Sequence, residues 1–529
     1  DASVYLFGKN GEAPNDSILY KNLNIHYYDK LQVRPNMLYR WMNYQQFVRS
    51  KQMRASNRTR LYSQYRQEQV QEKLSQLGIF SYMDMQYAPR DTTAACDTLD
   101  VTMQATFAKP LDAELELNVV TKSNDQTGPG ASFGVTRNNV FGGGESWNVK
   151  LKGSYEWQTG GGEKSSLMNS WEMGLSTSLT FPRVVFPHLG KREFDFPATT
   201  TFRLYINQLN RAKYYKLLSF GGNATYDFQP SRTSRHSITP FKLTFNVLQH
   251  QSEDFKEIAE ANPALYVSLR NQFIPAMEYT YTYDNASGRR IKNPIWWQST
   301  VTSAGNITSL IYRAFGKPFN EEDKSLLGAP FAQFVKLNTE LRHLWNIDKN
   351  NAIASRMAVG ALFTYGNATI APYSEQFYVG GANSIRAFTV RSVGPGGYHP
   401  EEGKYSYLDQ TGTFRFEANV EYRFRIFKSF WGATFLDAGN VWLLRKDRKL
   451  LADGKEARPN SQLRLKTFPK QIALGTGVGI RYDMDILVFR LDFGIPLHLP
   501  YDTDRSGYYN VTGAFFKNLG IHFAIGYPF

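Results

Sequence analysis

The residue types that usually carry chemistry are sparse in this chain, and none stands at a spacing that a familiar reaction uses. The 529 residues include one cysteine, Cys96, so neither a disulfide framework nor a multi-cysteine zinc or iron–sulfur site can form. The eight histidines are scattered, which excludes a metal-binding H-E-x-x-H pair on one helix. Gly130-Ala131-Ser132-Phe133-Gly134 fits the hydrolase pattern G-x-S-x-G. In that pattern the serine must stand on a strained turn between a strand and a helix. Here the stretch is Gly-rich and strand-like with no helix behind it, so chance is the simpler reading. Gly475-Thr476-Gly477-Val478-Gly479 lacks the dinucleotide-binding spacing and reads as a strand running into Arg481. No nucleotide site, cofactor or metal is expected, and the chain is not expected to be an enzyme.

The composition bounds the elements that could position any site. Lys and Arg number 61 against 47 Asp and Glu, a formal net charge of +14. That excess suggests a nucleic-acid partner, yet the basic residues are interleaved singly with apolar ones, and no helix-turn-helix, zinc-finger or RNA-recognition signature is present. No nucleic-acid partner is expected. The excess is densest from Arg34 to Arg66, with eight basic residues and no acidic one; it reads as a solvated face, or as an attraction to anionic lipid headgroups or acidic clients. Charged residues at 20% and hydrophobic ones at 42% argue against a largely disordered chain. Mean hydropathy is −0.44, and no stretch approaches the roughly 18 apolar residues of a spanning helix. This excludes helical membrane proteins only, because a membrane barrel keeps half its residues in a polar lumen.

The first hundred or so residues read as mixed α and β. Leu23, Ile25 and Tyr27 alternate with polar neighbours as in a half-buried strand. Pro35 then opens a helix carrying Leu38, Trp41, Met42 and Val48. A second helix runs from about Arg66 to Leu77 and stops at Gly78. Two strands follow, one with Met83, Met85 and Tyr87 on a single face, the other with Leu99, Val101, Met103, Ala105 and Phe107. The order is β-α-α-β-β over residues 17–109, and residues 1–16 are read as the tail of a preceding domain.

After Pro110 helical periodicity largely disappears. Trp147, Val149, Leu151, Tyr155 and Trp157 alternate with Asn148, Lys150, Lys152, Ser154 and Glu156. Phe414, Phe416, Ala418, Val420, Tyr422 and Phe424 alternate with Arg415, Glu417, Asn419, Glu421 and Arg423. Such runs match the roughly 9–11 residues that cross a bilayer as a tilted strand, whereas strands of soluble sheets are usually about 5–6 residues long. One face is apolar or aromatic and the other fully charged, as in a closed barrel with lipid outside and water inside. A large soluble β-sandwich is the alternative. Residues 110–529 are read as a sixteen-stranded antiparallel transmembrane barrel, so the fold class is mainly β with an N-terminal α+β domain.

One connection is too long for an ordinary turn. Between strands ending near Thr364 and starting near Phe414 lie Gly380, Gly381, Ala382, Asn383, Ser384, Ile385, Arg386, Ala387 and Phe388, and connections of that length are usually functional. This segment resembles the signature loop of the BamA/TamA superfamily of outer-membrane assembly and secretion barrels. The family tip is V-R-G-F or V-R-G-Y, here Ile385-Arg386-Ala387-Phe388. The β-α-α-β-β unit resembles the family's periplasmic polypeptide-transport-associated (POTRA) domain. Phe435-Leu436-Asp437-Ala438-Gly439 matches its F-x-D-x-G pattern, and Glu421 its second acidic position. The resemblance implies that Arg386 folds back into the lumen against Glu421, Phe435, Asp437 and Gly439. Ala387 departs from the family glycine, which implies ordinary backbone dihedrals at the tip.

The resemblance further implies an outer-membrane barrel with its N-terminal domain in the periplasm, acting on unfolded outer-membrane or secreted clients. Outer-membrane lipids are further partners, as is a periplasmic partner that is TamB-like or a subunit of an assembly complex. The form of the tip looks TamA-like. BamA itself, a two-partner secretion pore and a passive porin are the alternatives. In this reading work is done at a weak seam between the first strand, with Leu115, Leu117 and Val119, and the last. The latter runs from Gly520 through Phe523, Gly526, Tyr527 and Pro528 to Phe529, and Gly526 and Pro528 are expected to weaken its pairing.

Overall fold

Alternating side chains commit a segment to a strand, and the chemistry of its two faces then decides what covers it. In the computed structural model of the protein, all residues are described except 1, 22, 44–61, 63, 92–98, 122–125, 159–168, 186–197, 212–214, 254–255, 257–270, 287–290, 317, 319–324, 327–328, 367–370, 401–409, 447–457 and 485–486. Most of the basic stretch from Arg34 to Arg66, Val48 and Cys96 therefore lie outside the described residues. The chain divides into one compact unit of residues 1–116, 132–151 and 175–203 and a second of 117–131, 152–174 and 204–529.

In the first unit, β1 (Ala2–Phe7), β2 (Asp16–Tyr20) and β3 (Leu23–Tyr27) precede helices α1 (Pro35–Asn43) and α2 (Gln64–Gln76), and β4 (Phe80–Pro89) and β5 (Leu99–Phe107) follow. The sheet order is β2-β3-β1-β5-β4. Pro35 opens α1 as its spacing predicts. Residues 1–16 are not the tail of another domain. β1 is the central strand, parallel to both neighbours, with Val4 opposite Ile25 and Met103. Its Ala2, Val4 and Leu6 are buried, and Val4 and Leu6 pack with Leu23, Ile25, Leu38, Val70, Leu74 and Met103 in one core. Without β1, the facing edges of β3 and β5 would be left unpaired in the middle of the sheet.

The rest of the chain builds one sixteen-stranded sheet. Its first strands are β6 (Leu111–Thr121), β7 (Gln126–Asn138), β8 (Ser146–Gln158), β9 (Ser170–Phe181) and β10 (Ala198–Arg211). Then come β11 (Tyr215–Ser231), β12 (Ser234–Gln251), β13 (Gln272–Asp284) and β14 (Ile295–Ala304). The connection after β14 carries helix α3 (Asn306–Ala314) and a small separate ladder of β15 (Ser325–Leu326) and β16 (Ala329–Pro330). The sheet resumes with β17 (Phe334–Asn346), β18 (Asn351–Thr364), β19 (Phe414–Phe427) and β20 (Phe430–Trp442). It finishes with β21 (Ala473–Asp483), β22 (Val488–His498) and β23 (Gly520–Ile525). Strand order follows chain order, so β6 and β23 are its terminal strands. The G-x-S-x-G match lies inside β7, with no elbow and no helix behind it.

Burial in this sheet is the reverse of a soluble protein's. Along β19, Glu417, Asn419, Glu421 and Arg423 are buried, while Val420, Tyr422 and Phe424 are exposed. Glu421 is 0% accessible beside Val420 at 47%. Only a low-dielectric surround on the outer face makes that arrangement favourable. From β14 onward the two ends of the sheet also differ. The turns β17–β18 (347–350), β19–β20 (428–429) and β21–β22 (484–487) are short. The connections β14–β17 (305–333), β18–β19 (365–413), β20–β21 (443–472) and β22–β23 (499–519) are long.

The last strand is shorter than its alternation predicts. It stops at Ile525, because Gly526 takes a φ of 86° and donates its N–H to the Val488 carbonyl. Ile521, Phe523 and Ile525 are exposed on one face of the strand. Tyr527 and Phe529 leave that face and approach the Arg423 guanidinium at 4.2 and 5.8 Å, and Pro528 is buried. These residues therefore lie beyond the last strand instead of within it, and Gly526 ends the strand where it was expected only to weaken its pairing.

Candidate functional site

The β18–β19 connection folds onto the polar face of the sheet. Gly380 and Gly381 adopt φ of 104° and 93°, and a Cβ on Gly380 would stand 2.0 Å from the Thr389 carbonyl oxygen, so only glycine fits there. The resulting turn is closed by Gly381 N–H to the Phe388 carbonyl at 2.7 Å and Phe388 N–H to the Ile385 carbonyl at 3.1 Å. Ile385, Ala387 and Phe388 are buried with Val379, Leu362 and Val441. Ala387 is absent from the residues of positive φ, so the tip accommodates it without strain.

Arg386, fully buried, is held through both its backbone and its side chain. Asp437 accepts its backbone N–H at 3.0 Å, Nε at 2.8 Å and Nη2 at 2.9 Å. Glu421 accepts from Nη1, and the guanidinium lies 3.5 Å from the centre of the Phe435 ring. The strand register explains the spacing. Glu421 stands opposite Phe435 and Asn419 opposite Asp437, so one aromatic face and two carboxylates converge on a single planar fork. Gly439 does something else. It pairs with Glu417, and a Cβ there would meet the Phe416 carbonyl oxygen at 2.7 Å.

The cluster is wider than the sequence reading foresaw. Arg481 donates to Glu421 at 3.0 Å and stands 2.6 Å from Asp492. Arg423 donates to the other Glu421 oxygen at 2.8 Å. Arg490 Nη2 donates to Asn383 Oδ1 at 2.7 Å. Ser384 Oγ donates to Glu417 at 2.5 Å, and Arg356 reaches the same carboxylate at 3.2 Å. Asn419 Nδ2 donates to the Ser384 carbonyl at 2.8 Å and to Asp437 at 2.9 Å. His522, on the last strand, has Nε2 2.7 Å from the Arg386 carbonyl oxygen. Because a carbonyl only accepts, Nε2 carries the proton. Arg356 Nη1 also donates to the Asn383 carbonyl at 3.4 Å, so the tip is bonded to β18, β19, β20, β22 and β23.

Period-2 parity could have found part of this set, since Glu417, Asn419 and Arg423 share the face of Glu421, and Arg490 and Asp492 alternate in the same way. The glycine run in β21 also gains a reason. A Cβ at Gly475 would stand 2.3 Å from the Ala387 Cβ, one at Gly477 would be 2.4 Å from the Phe435 ring, and one at Gly494 would be 2.6 Å from the Arg386 carbonyl oxygen. These glycines form the shelf on which the tip rests.

Of the seam residues, Leu115, Leu117 and Phe523 are exposed, at 67%, 75% and 64%. Gly520 pairs with Gly494 in β22. The side chain of Val119 lies outside the described residues. Among the described residues no group of His, Cys, Asp and Glu is arranged to hold a metal ion. The arrangement joins a loop to the sheet through buried ion pairs and hydrogen bonds.

The class of protein is defined by a sixteen-stranded antiparallel sheet with one apolar and one charged face and an arginine-tipped loop folded onto the charged face. The chain belongs to the Omp85 superfamily, whose superfamily domain matches residues 139–529. Its structure is similar to BamA from Haemophilus ducreyi lacking POTRA domains 1–3. The TM-score is 0.56 at 12% identity, over 96% of this chain and 88% of that one. CdiB from Acinetobacter baumannii matches with a TM-score of 0.46 at 12% identity, over 84% of this chain and 66% of that one. CdiB from Escherichia coli gives 0.42 at 12% identity, over 96% and 79%. Membership places the barrel in an outer membrane. Among the described residues no helix is long and apolar enough to cross a membrane.

Proposed function

We propose that the chain is an outer-membrane protein assembly or translocation factor, TamA-like in role, whose terminal strands offer a client a place to pair. The observation that carries this reading is the mismatch between those strands. β6 has eleven residues and β23 only six, so the two terminal strands are unequal in length, and the longer one is the proposed place of client pairing. Unpaired edges template incoming strands, which is why soluble proteins cover them. With no nucleotide in that compartment, the work comes from binding and from the client's own folding. The N-terminal α/β unit is read as a POTRA domain that meets a TamB-like or assembly-complex partner in the periplasm. Recovery of partners with the intact protein separates the TamA-like role from that of BamA.

The test is a reversible lock. In a Cys96→Ser background, cysteine pairs between β6 and β23, scanned around Leu117→Cys with Ile521→Cys, should stop client assembly when oxidised and restore it when reduced, with the barrel still heat-modifiable on gels. Full assembly by the oxidised protein would contradict the reading.

A further inference from the structure

Helix α3 presents its apolar side outward. Ile307, Leu310, Ile311 and Phe315 are 43%, 57%, 51% and 84% exposed, while Thr308 and Ser309 are buried. This is not a frayed end, because the start of the helix is clamped. Gly305, at a φ of 70°, donates its N–H to the Pro275 carbonyl at 2.8 Å. The Asn306 side chain donates to Ser303 Oγ at 2.7 Å and accepts from the Tyr365 hydroxyl at 2.9 Å. The Tyr312 ring lies 6.0 Å from that of Phe331.

Two observations identify what covers the exposed face. First, α3 continues directly from β14, whose outward face carries Trp297 and Val301. Val301 pairs with Leu337 of β17, and all three side chains are exposed in the lipid-facing band. The helix thus starts where a strand with exposed apolar side chains on its outward face ends. Second, residues 305–316 contain no acidic residue, and Arg313 is exposed in the last turn. Solvated apolar surface of this size is unfavourable, and a short amphipathic helix with a basic group at its polar boundary is suited to the headgroup–acyl interface.

We propose that α3 is an interfacial membrane anchor, lying in the leaflet at the end of the barrel where the signature loop enters, with its apolar side chains among acyl chains and Arg313 at anionic headgroups. It would fix the depth of the barrel on the side of β13, β14 and β17.

The test uses the full chain in the Cys96→Ser background, reconstituted in vesicles of phosphatidylethanolamine and phosphatidylglycerol. Nitroxide labels are placed at Leu310→Cys and Phe315→Cys, with Val301→Cys as the lipid-band reference and Asp348→Cys in the β17–β18 turn as the water reference. The expected result is a ratio of oxygen to nickel-chelate accessibility at 310 and 315 that matches Val301 and exceeds Asp348 several-fold. A ratio equal to that of Asp348 would overturn the proposal. So would spin–spin broadening at 310 and 315 that disappears on dilution with unlabelled protein, since a second copy would then be the cover.

Discussion

At the scale of single residues, the account rests on Arg386. Its charge is buried and compensated by Asp437 and Glu421, so removing Arg386 or Asp437 leaves buried charge under-compensated. Arg386→Ala or Asp437→Asn should each destabilise the folded barrel by about 3–5 kcal/mol, the usual cost of breaking a buried pair, read as a lowered temperature of heat-modifiable unfolding. Arg386→Lys should rescue little, because an ammonium cannot reproduce the fork that bonds two carboxylates. The tip also depends on residues without side chains. Gly494→Val should push the loop off its shelf and make residues 380–396 cleavable by protease in the folded barrel; unchanged protection would mean the contact with the Arg386 carbonyl is not what seats the loop. Arg386, Glu421 and Asp437 were legible from motif and parity. Arg481 and His522 were not, since no local pattern records which distant strands a folded loop will touch.

At the scale of elements, alternation was readable wherever both faces had a strong chemical identity. β19 showed its charged face in sequence because Glu417, Asn419, Glu421 and Arg423 fall on one parity. The end of β23 was not readable, because the alternation from Ile521 continues through Tyr527 and Phe529, and only the positive φ of Gly526 breaks it. β1 was missed for a different reason: its alternation is six residues long, and its partners are distant in sequence, β5 most of all. His522 connects the terminal strand to the loop through one hydrogen bond, typically worth about 0.5–1.5 kcal/mol. His522→Ala should accelerate amide exchange across 520–525 while β20 and β21 keep their protection. Equal acceleration in all strands would show general loosening instead of a local tether.

At the scale of the whole molecule, charge and hydropathy acquire a single explanation. The negative mean hydropathy belongs to a barrel that buries charge and exposes apolar and aromatic side chains, and the basic surplus follows partly from arginines such as Arg356, Arg423, Arg481 and Arg490 on its inner face. In the proposed function the client is received at the edge of β6. The most direct measurement places a photo-crosslinking amino acid at Leu115 or Leu117 of β6, at Leu243 in mid-sheet β12, and at Arg356 on the inner face, then stalls a client during assembly. The account predicts client adducts at 115 and 117 and none at 243 or 356. Adducts at Arg356 alone would make the chain a conduit through its lumen, and equal labelling at all four positions would contradict edge pairing altogether.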